Sequence, residues 1–169
     1  MTVPGQIIDI LRKAYQIEVD GYTFYSMTAD CADKPAVQEL FGRLAQDEVQ
    51  HQAFLRSVMT NYHNKGVEAF SVGIVLPDLR KFSDKVFTER FREQADGAAF
   101  EMAALSVGMT LEKNAVAYFS GAVRIATEVE VRQFYQFLAD WEQQHLDALQ
   151  SLCETIRGDF WEKSRFSPF

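Results

Sequence analysis

Only two cysteines occur among the 169 residues, Cys31 and Cys153, and they do not form a CxxC pair. A disulfide framework and a tetrathiolate zinc or iron site are therefore excluded within this chain. No run approaches the ~18 uninterrupted apolar residues of a membrane-spanning helix, so no membrane association is expected. Basic residues are not clustered, and 17 Lys+Arg against 24 Asp+Glu give a net charge of −7. That balance argues against a nucleic-acid partner. The opening stretch, MTVPGQIIDILRKAYQIEVDG, has no basic leader, apolar h-region or cleavage site, so a cytoplasmic location is expected. Strand patterning is nearly absent, and only residues 70–76 could be extended. What is present is ordinary for a globular protein: 47% hydrophobic and 24% charged residues, enough for a single domain over residues 1–169.

The chain repeats itself. An offset of 94 residues aligns two segments without a gap, and the identities include Leu11/Leu105, Glu18/Glu112, Leu44/Leu138, Glu48/Glu142, His51/His145 and Leu55/Leu149. Each segment carries two helical stripes at alternating spacings of four and three. Ile7, Leu11, Ala14, Glu18, Gly21 and Tyr25 form one, and Val37, Phe41, Leu44, Glu48, His51, Leu55 and Val58 the next. Leu105, Gly108, Glu112, Ala115 and Phe119, then Val131, Tyr135, Leu138, Glu142, His145 and Leu149, repeat the pattern. Thr2 and Asp96 suit the N-caps of the first and third helices, and Asp33 before Lys34-Pro35 suits the start of the second. Thr127-Glu128-Val129-Glu130 reads as a capping box opening the fourth. Turns are expected near 31–34 and 125–128. A long crossover over about residues 62–95, with a short helix after Pro77, would join the hairpins. The expected fold is all-α, a four-helix bundle of two antiparallel helical hairpins.

Six ionisable residues interrupt the apolar stripes: Glu18, Glu48, His51, Glu112, Glu142 and His145. Glu18 and Glu48 lie about 15 residues either side of the first turn, hence roughly 22 Å from it on facing helices. The 94-residue offset puts Glu112 and Glu142 at the same depth, and each histidine follows its Glu by three residues on the same face. Four buried carboxylates cannot all stay ionised unaided. Two divalent cations would balance their charge, and two neutral imidazoles would complete the ligands. Oxygen and imidazole donors without thiolate suit iron or manganese better than calcium. One Glu on each of two helices, with Glu-x-x-His on each of the others, is the ligand plan of carboxylate-bridged di-iron bundles.

On these residues the chain resembles the ferritin-like superfamily and, within it, the rubrerythrin di-iron domain. The resembling segments are KAYQIEVDGYTFY, AQDEVQHQAFL, MTLEKNAVAYF and ADWEQQHLDAL, and the likeness covers about residues 3–157. It implies a ferritin-like bundle holding two iron ions, with Mn or Zn possible in place of Fe. Glu48 and Glu142 would bridge, Glu18 with His51 would complete one ion, and Glu112 with His145 the other. It also implies a di-iron oxidoreductase that reduces hydrogen peroxide or dioxygen to water, a cytoplasmic protein of oxidative stress. The chain reaches Phe169 without the two CxxC pairs of a rubredoxin domain, so an external electron donor is expected, such as a rubredoxin or flavoprotein. Ala115 stands where rubrerythrins place a further Glu, which weakens the peroxidase assignment. The rival readings are a ferroxidase or iron-handling protein and a non-catalytic metal-binding partner protein.

Other positions carry narrower expectations. Asp47 could accept a hydrogen bond from a ligand histidine, or face solvent; Trp141 occupies the equivalent place in the repeat, which would make such support one-sided. Tyr25 could hydrogen-bond a ligand, donate an electron or pack in the core. Gly21, Gly108 and Ala115 would leave room beside the acidic layer. Glu101 is expected at the bundle end and His63 at the surface, neither as a ligand. The aromatic tail over about residues 159–169 suits packing across a homodimer or capping of the bundle.

Overall fold

The computed structural model describes residues 4–71 and 99–163. Helix α1 spans Pro4–Cys31, α2 Pro35–Lys65, α3 Ala99–Ile125 and α4 Val129–Lys163, with a 3₁₀ segment at Gly66–Ser71. No strand occurs among the described residues. The chain is an all-α four-helix bundle of the ferritin-like kind, α1 packing along α2 and α3 along α4. The expected caps at Thr2 and Asp96, the helix after Pro77 and the aromatic tail side chains lie outside the described residues.

The two turns fall where glycine-free, polar sequence interrupts the stripes, at residues 32–34 and 126–128. Their closure is duplicated along with the stripes. Gln38 Nε2 donates to the Ala32 carbonyl at 2.7 Å, and Arg132, 94 residues on, donates to the Ala126 carbonyl at 3.2 Å. Both bonds satisfy carbonyls that a helix C-terminus leaves unpaired. The N-cap of α2 is Lys34 in extended conformation with Pro35 at the first helical position, one residue later than Asp33. At the second turn, Thr127 Oγ1 donates to Glu128 Oε2 at 2.9 Å, and the Glu128 carbonyl accepts the Arg132 N–H at 3.0 Å to start α4. Residues 62–65, read from the sequence as the start of the crossover, are still helical. Helix α2 stops at Gly66, whose φ of 62° is a left-handed value that glycine adopts without strain.

Lys34 of the first turn reaches Glu101 in the first turn of α3, Nζ to Oε1 3.2 Å. The two hairpin turns therefore sit at opposite ends of the bundle. Apolar layers fill both halves. Towards the first turn Tyr25 stacks on Phe41, ring centroids 6.1 Å apart, beside Gly108 and Leu149. Towards the second, Phe70 of the 3₁₀ segment packs on Phe134 at 4.9 Å and on Tyr62 at 5.5 Å, over Phe119 and Tyr135, which are fully buried. These layers supply the burial that stabilises the bundle, each buried Leu or Phe contributing about 1.5–3 kcal/mol.

Glu101 is buried against Lys34, as a carboxylate at the bundle end and apart from the acidic layer. Replacing Lys34→Met would leave it without its cation, and a loss of about 1–3 kcal/mol in urea unfolding is expected. Glu101→Gln, which needs no cation, should cost less; the reverse order would show the ion pair to be unimportant.

Candidate metal centre

Midway along the bundle the stripes carry Glu18 on α1, Glu48 and His51 on α2, Glu112 on α3, and Glu142 and His145 on α4. All six are buried, His51 and His145 completely. The structure brings them into two overlapping groups whose donor atoms lie within 4.8 Å of one another: Glu18, Glu48, His51 and Glu142, and Glu48, Glu112, Glu142 and His145. Glu48 and Glu142 belong to both.

Each histidine turns Nδ1 towards the carboxylates. His51 Nδ1 lies 2.8 Å from Glu18 Oε2 and 3.3 Å from Glu48 Oε2. His145 Nδ1 lies 3.6 Å from Glu112 Oε1, 3.8 Å from Glu142 Oε2 and 3.9 Å from Glu48 Oε1. The environment divides the carboxyls into two kinds. Burial, and then the neighbouring carboxylates, push Glu48 and Glu142 well above the ordinary range. Burial also opposes the charge on Glu18 and Glu112, but hydrogen bonds and the histidines outweigh it and hold both below the ordinary value. Burial lowers His51; for His145 the Glu112 charge overcomes burial and raises it.

The donor set fits a pair of divalent cations. Glu18 Oε1, Glu48 Oε2, Glu142 Oε1 and His145 Nδ1 are buried with no hydrogen bond among the described residues. Unpaired buried polar atoms of this kind are costly and rare, and these four lie in one cluster where ions would satisfy them together.

Surrounding residues hold this cluster in place. Tyr25 is fully buried and its hydroxyl donates to Glu112 Oε1. Burial, and then the Glu112 charge, push the phenol well above its ordinary range, so the proton stays on Tyr25. Asp47 Oδ2 stands 4.0 Å from His145 Nε2, behind the ring. Its counterpart Trp141 lies against His51, ring centroids 3.6 Å apart, with Phe54 and Phe137 around it. Gly21 is needed for close approach: a Cβ there would come within 2.9 Å of Glu48 Oε1. Gly108 gives its space to Tyr25 and Leu149 instead. His63 and Cys31 are exposed, and Cys153 is a buried free thiol.

One feature was not legible from spacing. A cleft of ≈ 270 Å³ opens between α1 and α3, from exposed Lys13, Asp20 and Asn114 down past Gly21 and Ala115 to Glu48, Glu112 and Glu142. The only sequence signal for it is the small pair Gly21 and Ala115, themselves 94 residues apart. Trp141, backed by Phe54, lies over His51 on the other side of the cluster.

A family model described as Rubrerythrin matches residues 9–153. No curated protein and no solved structure matches the chain.

The buried carboxyls set a trade between stability and binding. With its pKa raised well above the ordinary 4.5, Glu142 holds its proton to higher pH in the folded chain than in the unfolded one. That difference penalises folding as pH rises above about 4.5 and vanishes in more acid solution. Glu142→Gln removes the penalty, so the metal-free variant should be more stable than the parent at pH 7. The gain should fade near pH 4. Paired thermal melts at the two pH values check both parts, and a variant less stable at pH 7 would contradict them.

Proposed function

The chain belongs to the rubrerythrin family, and from that premise we propose that its six-residue cluster holds two iron ions and reduces hydrogen peroxide, or dioxygen, to water. The observation that carries this reading is the pair of four-residue groups sharing Glu48 and Glu142. Those two carboxylates would bridge the ions, with Glu18 and His51 completing one and Glu112 and His145 the other. Two divalent cations match four carboxylates in charge, and binding requires all four to be ionised.

When bound, iron supplies one electron per ion and the Lewis acidity that stabilises charge developing on the departing oxygen. The protein supplies access, orientation and exclusion. The cleft between α1 and α3 admits a small oxidant to the carboxylate side of the cluster, past Gly21 and Ala115. Tyr25 fixes one oxygen of Glu112 and so the direction of its other oxygen. Trp141, backed by Phe54, lies over the His51 ring, away from the cleft. Reducing one peroxide consumes two electrons and two protons and yields two waters. The protons arrive from solvent through the cleft, and the electrons from a separate reduced rubredoxin or flavoprotein.

Ferrous oxidation is the second reading, with Fe²⁺ as substrate. Ala115 favours it, because that position on the cleft wall adds no carboxylate beside the six-residue set, and Asp20 stands out at the exposed mouth. Mixing the ferrous-loaded protein with peroxide and, separately, with dioxygen divides the two readings. Faster oxidation by peroxide is expected, and faster oxidation by dioxygen would reverse the order. Glu48→Ala and Glu142→Ala should each lose the ion pair, read as fewer than two metal ions per chain by elemental analysis. Either variant retaining two ions would remove the proposed bridges.

A further inference from the structure

The repeat that builds the centre is broken beside it, and two of the breaks place polar groups on the same side. Glu18/Glu112, Glu48/Glu142 and His51/His145 are preserved across the 94-residue offset, whereas Tyr25 pairs with Phe119 and Asp47 with Trp141. Tyr25 donates to Glu112; Phe119, at the matching place, has no donor to offer Glu18. Asp47 stands 4.0 Å behind His145 Nε2. Trp141 stands against His51. Both Nε2 atoms are buried with no hydrogen bond among the described residues, but only that of His145 has a carboxylate of those residues within 4.0 Å.

The chemistry of imidazole makes this difference count. A metal ion on Nδ1 requires that ring's remaining proton to sit on Nε2, which then needs an acceptor. For His145 a carboxylate stands 4.0 Å away, and closing that gap to a hydrogen bond would orient the ring and make it a stronger donor to metal. For His51 the neighbour is an indole, whose nitrogen can only donate. We propose that the two metal positions are unequal: Glu48, Glu112, Glu142 and His145 form the tighter, first-filled subsite, with Asp47 and Tyr25 as its positioning residues, and Glu18, Glu48, His51 and Glu142 form the weaker, second-filled one. This rests on the cluster being a two-metal centre. At limiting metal the protein is a one-ion form, and the ion beside His51 and Trp141 is the first to leave.

Calorimetric titration of the metal-free chain with Co²⁺ tests this without any turnover. The parent should show two binding events separated by roughly 10–100-fold in affinity, the usual weight of such a supporting partner. Glu18→Ala should keep the tighter event and lose the weaker, and Glu112→Ala should do the reverse. Asp47→Ala should weaken the tighter event by roughly 10–100-fold and leave the weaker one in place. Asp47→Asn, which keeps an acceptor oxygen without the charge, should fall between parent and Asp47→Ala. The Co²⁺ absorption at one equivalent should change with Asp47→Ala, as a purely structural role for Asp47 would not require. Two equal events in the parent, loss of the tighter event in Glu18→Ala, or equal weakening of both by Asp47→Ala would each overturn the inequality. A parent chain that binds no Co²⁺ at all would instead overturn the two-metal reading on which it stands.

Discussion

Four carboxyl groups share one buried layer of this bundle, and most of what surrounds them answers that constraint. Left alone, the layer raises the pKa of Glu48 and Glu142 and leaves polar atoms unpaired. Both conditions are unfavourable in a protein interior. The apolar layers on either side must therefore carry the fold. They do so with fully buried aromatic and aliphatic residues, among them Tyr25, Phe41, Leu44 and Leu105 to one side and Leu11, Leu55, Phe119 and Tyr135 to the other. Function and stability are in tension at a single depth, and bound cations would relieve it.

Long helices make the arrangement possible. Helices of 27 to 35 residues put the acidic layer far from both ends, where fraying does not reach it. The ends have their own fastenings: Gln38 and Arg132 on the last carbonyls of the turns, Lys34 on Glu101, and Phe70 folded over Phe134. With these in place, the side chains of the layer are positioned by regular helix and not by loops. That is why small shifts in Gly21 or Tyr25 would be felt by the carboxylates they touch.

Much of this was legible in the residues themselves. A period of three and four with Glu-x-x-His twice in phase determines which face is inward, and a constant offset brings the two hairpins to one depth. The turns at 32–34 and 126–128 follow from where the stripes stop. The remainder depends on tertiary contact. Asp33 has the chemistry of an N-cap, yet Pro35 fixes the backbone so that Lys34 takes that place. Residues 62–65 look like a connection because they are polar, but only Gly66 can reverse the chain there. Trp141 reads as the loss of a carboxylate; that its ring covers His51 depends on how α4 rotates against α2. The cleft is a gap between helices, and a gap has no sequence period.

The 94-residue repeat also determines what this protein is free to become. Were the same centre built from two identical hairpins meeting as separate chains, each substitution near one ion would be imposed on the other. Joining both hairpins in a single polypeptide lifts that obligation. Position 47 can keep an acid while position 141 takes an indole, and position 25 a phenol while 119 takes a benzyl ring. The covalent link between halves thus gives individual character to two places that symmetry would otherwise have held alike.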